Sequence, residues 1–135
     1  MFSHPVRIYW EDTDAGGVVY HAQYVAFLER ARIHSLRAQG YGQERLRTQH
    51  GVLFAVRAMQ LDFLKPARLD DALEVSAGLR ECRRASVVFN QRIRRGDDLL
   101  LTAQVRVAAL GLDFRPRPIP EPLYDELNAL VEKDA

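Results

Sequence analysis

Among the 135 residues there is one cysteine, Cys82. An intrachain disulfide is therefore excluded and a structural zinc site built on thiolates has no ligand set, which suits a reducing cytoplasm. No histidine stands beside Cys82 in sequence to activate it, so it reads as a small buried or half-buried side chain and not as a nucleophile. Long apolar runs are missing too. Nowhere do 18 apolar residues follow one another, and Met1 to Trp10 is interrupted by Arg7 before a signal-peptide core could form. The expectation is a soluble, unsecreted protein without a membrane span. Charge of one sign is not in excess either: 19 Lys and Arg against 18 Asp and Glu leave a formal charge of +1. That balance excludes a general nucleic-acid binder and makes any basic feature local. Several catalytic signatures are absent. No Gly-x-Ser-x-Gly elbow surrounds any of the four serines, and there is no Gly-x-x-x-x-Gly-Lys loop and no His-Glu-x-x-His. Gly40-Tyr41-Gly42 lacks the third glycine and the preceding strand of a dinucleotide site, and reads as the end of a helix.

What is present is enough to fold. Apolar residues make up 47% and charged residues 27% of the chain, and the length fits one domain over residues 1–135 with one core. Val6, Ile8 and Trp10 alternate with Arg7 and Tyr9, the period of a strand. Glu11 to Gly17 is a loop whose paired glycines mark unusual backbone demands. Between His21 and Gly40 the period changes. Tyr24, Phe27, Leu28, Ala31, Ser35 and Ala38 fall on one stripe, with Glu29, Arg30, Arg32 and Arg37 pointing elsewhere, as in one amphipathic helix of about five turns. The small residues of that stripe invite a sheet to approach closely.

After a polar connection from Gln43 to Gly51, four runs read as strands: Leu53 to Leu64, Leu73 to Leu79, Ser86 to Arg94 and Leu99 to Leu110. The break at Lys65 to Asp71 contains Pro66, and the tighter turns at Glu81 to Arg84 and Gly96 to Asp98 make the last three strands an antiparallel meander. Over residues 113–135 the chain forms a proline-rich strap at Arg115 to Pro122, then a short helix from Leu123 to Lys133. The sum is an α+β domain whose main helix lies on an antiparallel sheet.

The segment Asp12-Thr13-Asp14-Ala15-Gly16-Gly17-Val18-Val19-Tyr20-His21 concentrates the chemistry. Acidic residues precede a glycine turn that leads into a helix, and a helix start offers unpaired N–H groups and partial positive charge. A thioester carbonyl docked there would have its growing negative charge stabilised, while Asp14 attacks the carbon or deprotonates a water. The residues alone leave a second reading open, in which Asp12 and Asp14 merely cap the turn or helix. A hard-cation site at the Asp-Thr-Asp pair would want several more oxygen ligands. His21 shapes the pocket or is structural. Arg80, Arg83, Arg84, Arg92, Arg94 and Arg95 are either a solvated face on exposed strand ends or a phosphate site, for which the planar guanidinium is suited.

Asp12 to His21, followed by Tyr24 and by Phe27-Leu28-Glu29-Arg30-Ala31-Arg32, resembles the opening signature of the Tol-Pal-associated (YbgC-like) acyl-CoA thioesterases, relatives of 4-hydroxybenzoyl-CoA thioesterase. Lys65-Pro66-Ala67-Arg68-Leu69-Asp70-Asp71 is similar to a second stretch of that family, and the likeness runs from about Arg7 to Leu110. The resemblance implies a hotdog fold, a five-stranded antiparallel sheet wrapped around a long central helix, with two subunits building active sites at their interface as a homodimer or homotetramer. It implies that Asp14 is the catalytic carboxylate and that the backbone N–H of His21 polarises the thioester carbonyl. Gly17, Val18 and Tyr24 would lie against the substrate, and Arg83 and Arg84 would hold the nucleotide phosphates of CoA. The implied substrate is an acyl-CoA or an acyl group on acyl carrier protein, cleaved without metal or redox cofactor by a cytoplasmic enzyme of phospholipid or acyl-carrier metabolism. Two alternatives use the same fold: a dehydratase, which would need a His and an acid at the acyl chain, and a non-catalytic scaffold in which Asp14 is structural.

Overall fold

The structure, a computed structural model, describes residues 2–132. Its elements are β1 (Phe2–Arg7), a 3-10 turn (Trp10–Asp12), α1 (His21–Ala38), α2 (Gln43–His50), β2 (Leu53–Phe63), β3 (Ala72–Cys82), β4 (Ser86–Arg95), β5 (Asp98–Leu110) and α3 (Glu121–Ala129). The five strands form one antiparallel sheet in the order β1-β3-β4-β5-β2. The β3-β4-β5 meander is as the turns predict. Alternation is the cause: Leu73, Val75 and Ala77 on β3, Val87, Phe89 and Ile93 on β4, and Leu101, Ala103, Val105 and Val107 on β5 are all buried on one face. Tyr24, Phe27, Leu28 and Ala31 of α1 close over that face, giving the hotdog arrangement. Each large side chain buried in this way stabilises the fold by about 1.5–3 kcal/mol.

The sheet has two ends that matter for the site. Arg7 pairs with Ala72, Arg95 with Asp98 and Phe63 with Leu101 at what we call the near end. Phe2 pairs with Ala77, Cys82 with Val87 and Leu53 with Leu110 toward the far end. The length of β3 separates the two by roughly 30 Å.

Five expectations need correction. The first strand covers Phe2–Arg7, not Val6 to Trp10, because the Asp12 carboxylate accepts the Tyr9 N–H and turns the chain into the 3-10 turn. Trp10 is consequently 78% exposed and does not share the buried side of Ile8. The stretch read as a polar connection holds α2. Only Leu46 of that helix is buried, so it carries no apolar stripe, and its end is set by Gly51 in the left-handed region at φ 63°. On α1, Ala38 is exposed and Arg32 is buried, the reverse of their expected sides. The last helix is Glu121–Ala129, held to the core by Leu123 and Leu127 and by the Tyr41 hydroxyl donating to Glu126; the predicted end at Lys133 lies outside the described residues. The strap before it is tied by the Gly111 N–H to the Arg115 carbonyl, a bridge between Leu110 and Pro116, the Arg117 N–H to the Ala109 carbonyl and its guanidinium to the Gly51 carbonyl, and the Ile119 N–H to the Arg84 carbonyl.

β1 is fastened to α1 by a ring stack between His4 and His34, with centroids 4.4 Å apart. Burial, followed by the nearby His34 and Arg30, lowers the pKa of His4 below its ordinary value, and Glu74 opposes this. An imidazole that binds its proton less readily folded than unfolded adds stability above its unfolded pKa of about 6.5, and that stability is lost as pH falls from there toward the folded value. Thermal melts between pH 7.5 and 5 should therefore show a falling midpoint, and His4→Gln should flatten the fall; an unchanged slope would remove His4 as its source.

Candidate active site

Residues 13–19 form a small hairpin at the near end of the sheet. Thr13 and Val19 bridge, the Asp14 N–H donates to the Val18 carbonyl at 2.9 Å, and the Gly17 N–H donates to the Asp14 carbonyl at 3.0 Å. The loop is thus Ala15-Gly16-Gly17, with Gly17 at φ 80° where a side chain would be strained. The hairpin is anchored on both sides. Val18 bridges Arg68, and the Val19 N–H donates to the Ala67 carbonyl at 2.9 Å. The Tyr20 N–H donates to the Asp12 carbonyl, and α1 starts at the next residue.

The two aspartates, equivalent in sequence, have different fates. Asp12 is buried, and both of its oxygens are engaged: Oδ2 accepts the Tyr9 N–H at 2.9 Å and Oδ1 accepts the Gln23 amide at 2.7 Å. The capping reading describes this residue. Asp14 is exposed. Its Oδ1 accepts the Gly16 N–H at 2.8 Å, and Oδ2 has no partner among the described residues. One oxygen is held and the other faces outward, the condition for a carboxylate that reacts or activates a water.

The amides of His21 and Ala22 open α1, and no acceptor takes either among the described residues. They are the donors an oxyanion would need at the positive end of the helix. The His21 ring is exposed and tilts against Tyr20 with centroids 4.6 Å apart. Tyr24, one turn along, is 4% exposed, and its hydroxyl oxygen accepts the Ala67 N–H at 3.0 Å. Tyr24 therefore fixes the segment on which the hairpin leans, a positioning role that its place in the motif did not reveal. Gly17 is exposed and Val18 half-buried in the hairpin itself.

The arginines divide. Arg95, at the near end, bonds Asp71 at 2.8 Å and lies 3.5 Å from Asp98, so it is a structural clasp and not part of a free basic face. Burial alone would push the Asp71 carboxyl up, but hydrogen bonds from Arg95 and the Arg68 N–H hold it below its ordinary value. Arg83 and Arg84 follow β3 at the far end, with Arg83 paired to Glu81 at 3.0 Å. Within one chain they are not brought to Asp14. Cys82 beside them is half-buried, and burial pushes its thiol up to about 11, so it is inert near neutral pH. Among the described residues no three His, Cys, Asp or Glu side chains cluster in a way that could hold a metal ion.

Arg32 and Gln91 are the buried polar pair that sequence reading missed. The Arg32 guanidinium donates to Gln91 Oε1 at 3.0 Å, and the Gln91 amide donates to the carbonyls of Leu28 and Ser76. Parity was the available signal, since Gln91 alternates with Phe89 and Ile93, and Arg32 lies four residues from both Leu28 and Leu36.

The fold is a hotdog sheet closed on a central helix, and the glycine hairpin that carries the exposed Asp14 carboxylate leads directly into that helix. The chain belongs to the thioesterase-like superfamily, whose family model matches residues 8–127. It is 46% identical over 130 residues to the acyl-CoA thioester hydrolase YbgC of Escherichia coli O6:H1, covering 95% of this chain and 96% of that protein. It is 42% identical over 121 residues to the acyl-CoA thioesterase YbgC of Haemophilus influenzae, covering 90% and 88%. Among solved structures, a probable thioesterase from Bartonella henselae superposes with a TM-score of 0.83 at 34% identity, over 87% of this chain and 98% of that one.

Asp12→Ala should destabilise the protein by on the order of 1 kcal/mol, because it removes the acceptor of two part-buried hydrogen bonds, from the Tyr9 N–H and the Gln23 amide. Urea unfolding checks this; a change below about 0.5 kcal/mol would mean that the hairpin does not depend on that carboxylate.

Proposed function

We propose that this chain, acting as one hotdog unit, hydrolyses the thioester of an acyl-CoA to a free acid and CoA. Asp14 is the catalytic carboxylate in this reading, and the His21 N–H at the start of α1 stabilises the carbonyl oxygen. The observation that carries it is the half-restrained state of Asp14, with one oxygen on the Gly16 N–H and the other open, on a hairpin that runs straight into the free amides of α1. Oxygen attacks the carbonyl carbon, charge collects on the carbonyl oxygen against the amide, and the C–S bond breaks as the oxyanion collapses. The attacking oxygen belongs either to Asp14, giving an anhydride that water then opens, or to a water that gives its proton to Asp14. The thiolate of CoA takes up a proton as it leaves.

The relatives' names support the acyl-CoA substrate, and the likeness of Asp12 to His21 to the opening signature of that family supports the chemistry. Gly17 and Val18 would flank the thioester, with Tyr24 behind them. Topology also gives Arg83 and Arg84 a use. β2 is an edge strand with Ala55 to Ala58 exposed, so a second copy paired antiparallel along it would set its far end beside this near end. Arg83 and Arg84 of one copy would then meet the CoA phosphates at the Asp14 of the other, in a homodimer or a higher assembly. An acyl group presented on acyl carrier protein is a second substrate of the same chemistry. No helix among the described residues is long and apolar enough to cross a membrane, and we place the reaction in the cytoplasm, in the acyl or phospholipid metabolism associated with the Tol-Pal system.

Asp14→Asn should lower kcat for thiol release from acyl-CoA by about 10²–10⁴-fold with little change in KM or in melting temperature. Undiminished turnover would end this assignment and favour a scaffold. Trapping of a labelled acyl-enzyme in a single turnover would separate the two routes. For the phosphate contacts, Arg83→Ala with Arg84→Ala should raise KM for acyl-CoA by about tenfold or more while leaving kcat intact. The same variant should turn over an acyl-pantetheine, which lacks the nucleotide, as well as wild type does; equal losses on both substrates would contradict the role.

A further inference from the structure

A cavity of about 550 Å³ lies between α1, α2 and the far half of the sheet, within the size range of small-molecule sites. Its wall is mostly apolar, including Leu36, Leu46, Leu79, Val87, Phe89 and Val107, and Arg32 also faces into it. Arg32 is 6% exposed, so more than nine-tenths of it is withdrawn from water. Its one hydrogen bond among the described residues is to Gln91 Oε1 at 3.0 Å, whereas a guanidinium has five N–H donors. Gln91 is itself locked by its bonds to the Leu28 and Ser76 carbonyls at 3.0 and 3.1 Å, so it holds the guanidinium in one direction. No carboxylate comes within ion-pairing distance of Arg32 among the described residues. Glu29 and Glu44 line the cavity but are exposed, and Glu44 is paired with Arg47 at 3.3 Å.

A buried cation with a neutral partner is costly unless an anion completes it. We propose that this cavity binds an aliphatic carboxylate, with the carboxylate on the open edge of the Arg32 guanidinium and the tail along the apolar wall. The planar fork matches a carboxylate with two parallel bonds. A phosphate fits poorly, because it has no tail to fill the apolar wall and the cavity's other cation, Arg47, is already paired with Glu44. Burial lowers the pKa of Arg32 from its ordinary value, and Glu29 opposes this.

Two sources supply such a ligand. One is the free acid released by thioester hydrolysis, and the other is the far end of an acyl chain that itself ends in a carboxylate. Both rest on the thioesterase reading, but binding does not, and it is measured without turnover. Decanoate, decan-1-ol and inorganic phosphate titrated calorimetrically into the intact protein should give a decanoate Kd tighter than that of the alcohol by about tenfold or more, with no phosphate binding. Arg32→Met should erase the preference for the acid. Val107→Trp, on the tail wall and clear of the Gln91 network, should weaken acid and alcohol alike, and it tests the site even where Arg32→Met fails to fold. Equal affinity for acid and alcohol in the wild type, no decanoate binding, a preference that survives Arg32→Met, or undiminished decanoate binding in Val107→Trp would each overturn the proposal. Kinetics then assign the source. A product site gives inhibition of decanoyl-CoA hydrolysis by decanoate, whereas an acyl-terminus site gives a kcat/KM about tenfold higher for the mono-CoA thioester of decanedioic acid, an advantage lost in Arg32→Met.

Discussion

The candidate site depends on a buried carboxylate whose two oxygens are both hydrogen-bonded. Asp12 draws the Tyr9 N–H and the Gln23 side chain onto its two oxygens, and so joins the end of the first strand to the first turn of α1. With that junction fixed, the chain between Thr13 and Val19 must fold back on itself, and the paired glycines make this possible. Asp14 is then carried at the loop and not in the core. Because a buried acceptor left unpaired is costly, the arrangement is stiff, and stiffness is what the proposed role of Asp14 needs from its support.

The same helix serves packing and, in the proposed reaction, chemistry. Its first amides are free because a helix start has no internal acceptors for them, and they face the near end where the hairpin stands. One turn on, Tyr24 packs in the core and accepts the Ala67 N–H, steadying the Ala67 segment that pairs with Val19. Two further turns on, Arg32 interrupts the apolar stripe and is held by Gln91. A helix wrapped by a sheet is buried over most of its circumference, so a polar residue placed there has to find a partner or a ligand.

Much of this was legible in order along the chain. Period-2 alternation located β5 and the first half of β3, where buried and more exposed residues alternate, whereas β4 was read as a strand-like run, since Ser86 to Phe89 are buried on both faces. Three- and four-residue spacing located α1. Where burial is not one-sided, the pattern failed. α2 shows one buried leucine and seven residues of polar or charged character around it, so no apolar stripe marks it, and only Gly51 signalled its end. The first strand was misplaced because Trp10 continues the alternation in sequence while the Asp12 carboxylate bends the backbone away. Arg32 was assigned outward from its charge, although its position relative to Leu28 and Leu36 placed it inward.

The amino-acid order by itself determined the α+β class, the glycine loop before the helix, and the candidacy of Asp12 and Asp14, since these rest on periodicity and local backbone preference over a few residues. Tertiary structure decided which aspartate is free and which is buried, that Arg95 is spent on Asp71 while Arg83 and Arg84 stand at the opposite end of the sheet, and that a guanidinium faces an apolar cavity. Those outcomes turn on hydrogen bonds and burial between residues distant in sequence, such as Arg32 with Gln91 and Tyr24 with Ala67, and local pattern carries no record of such pairings.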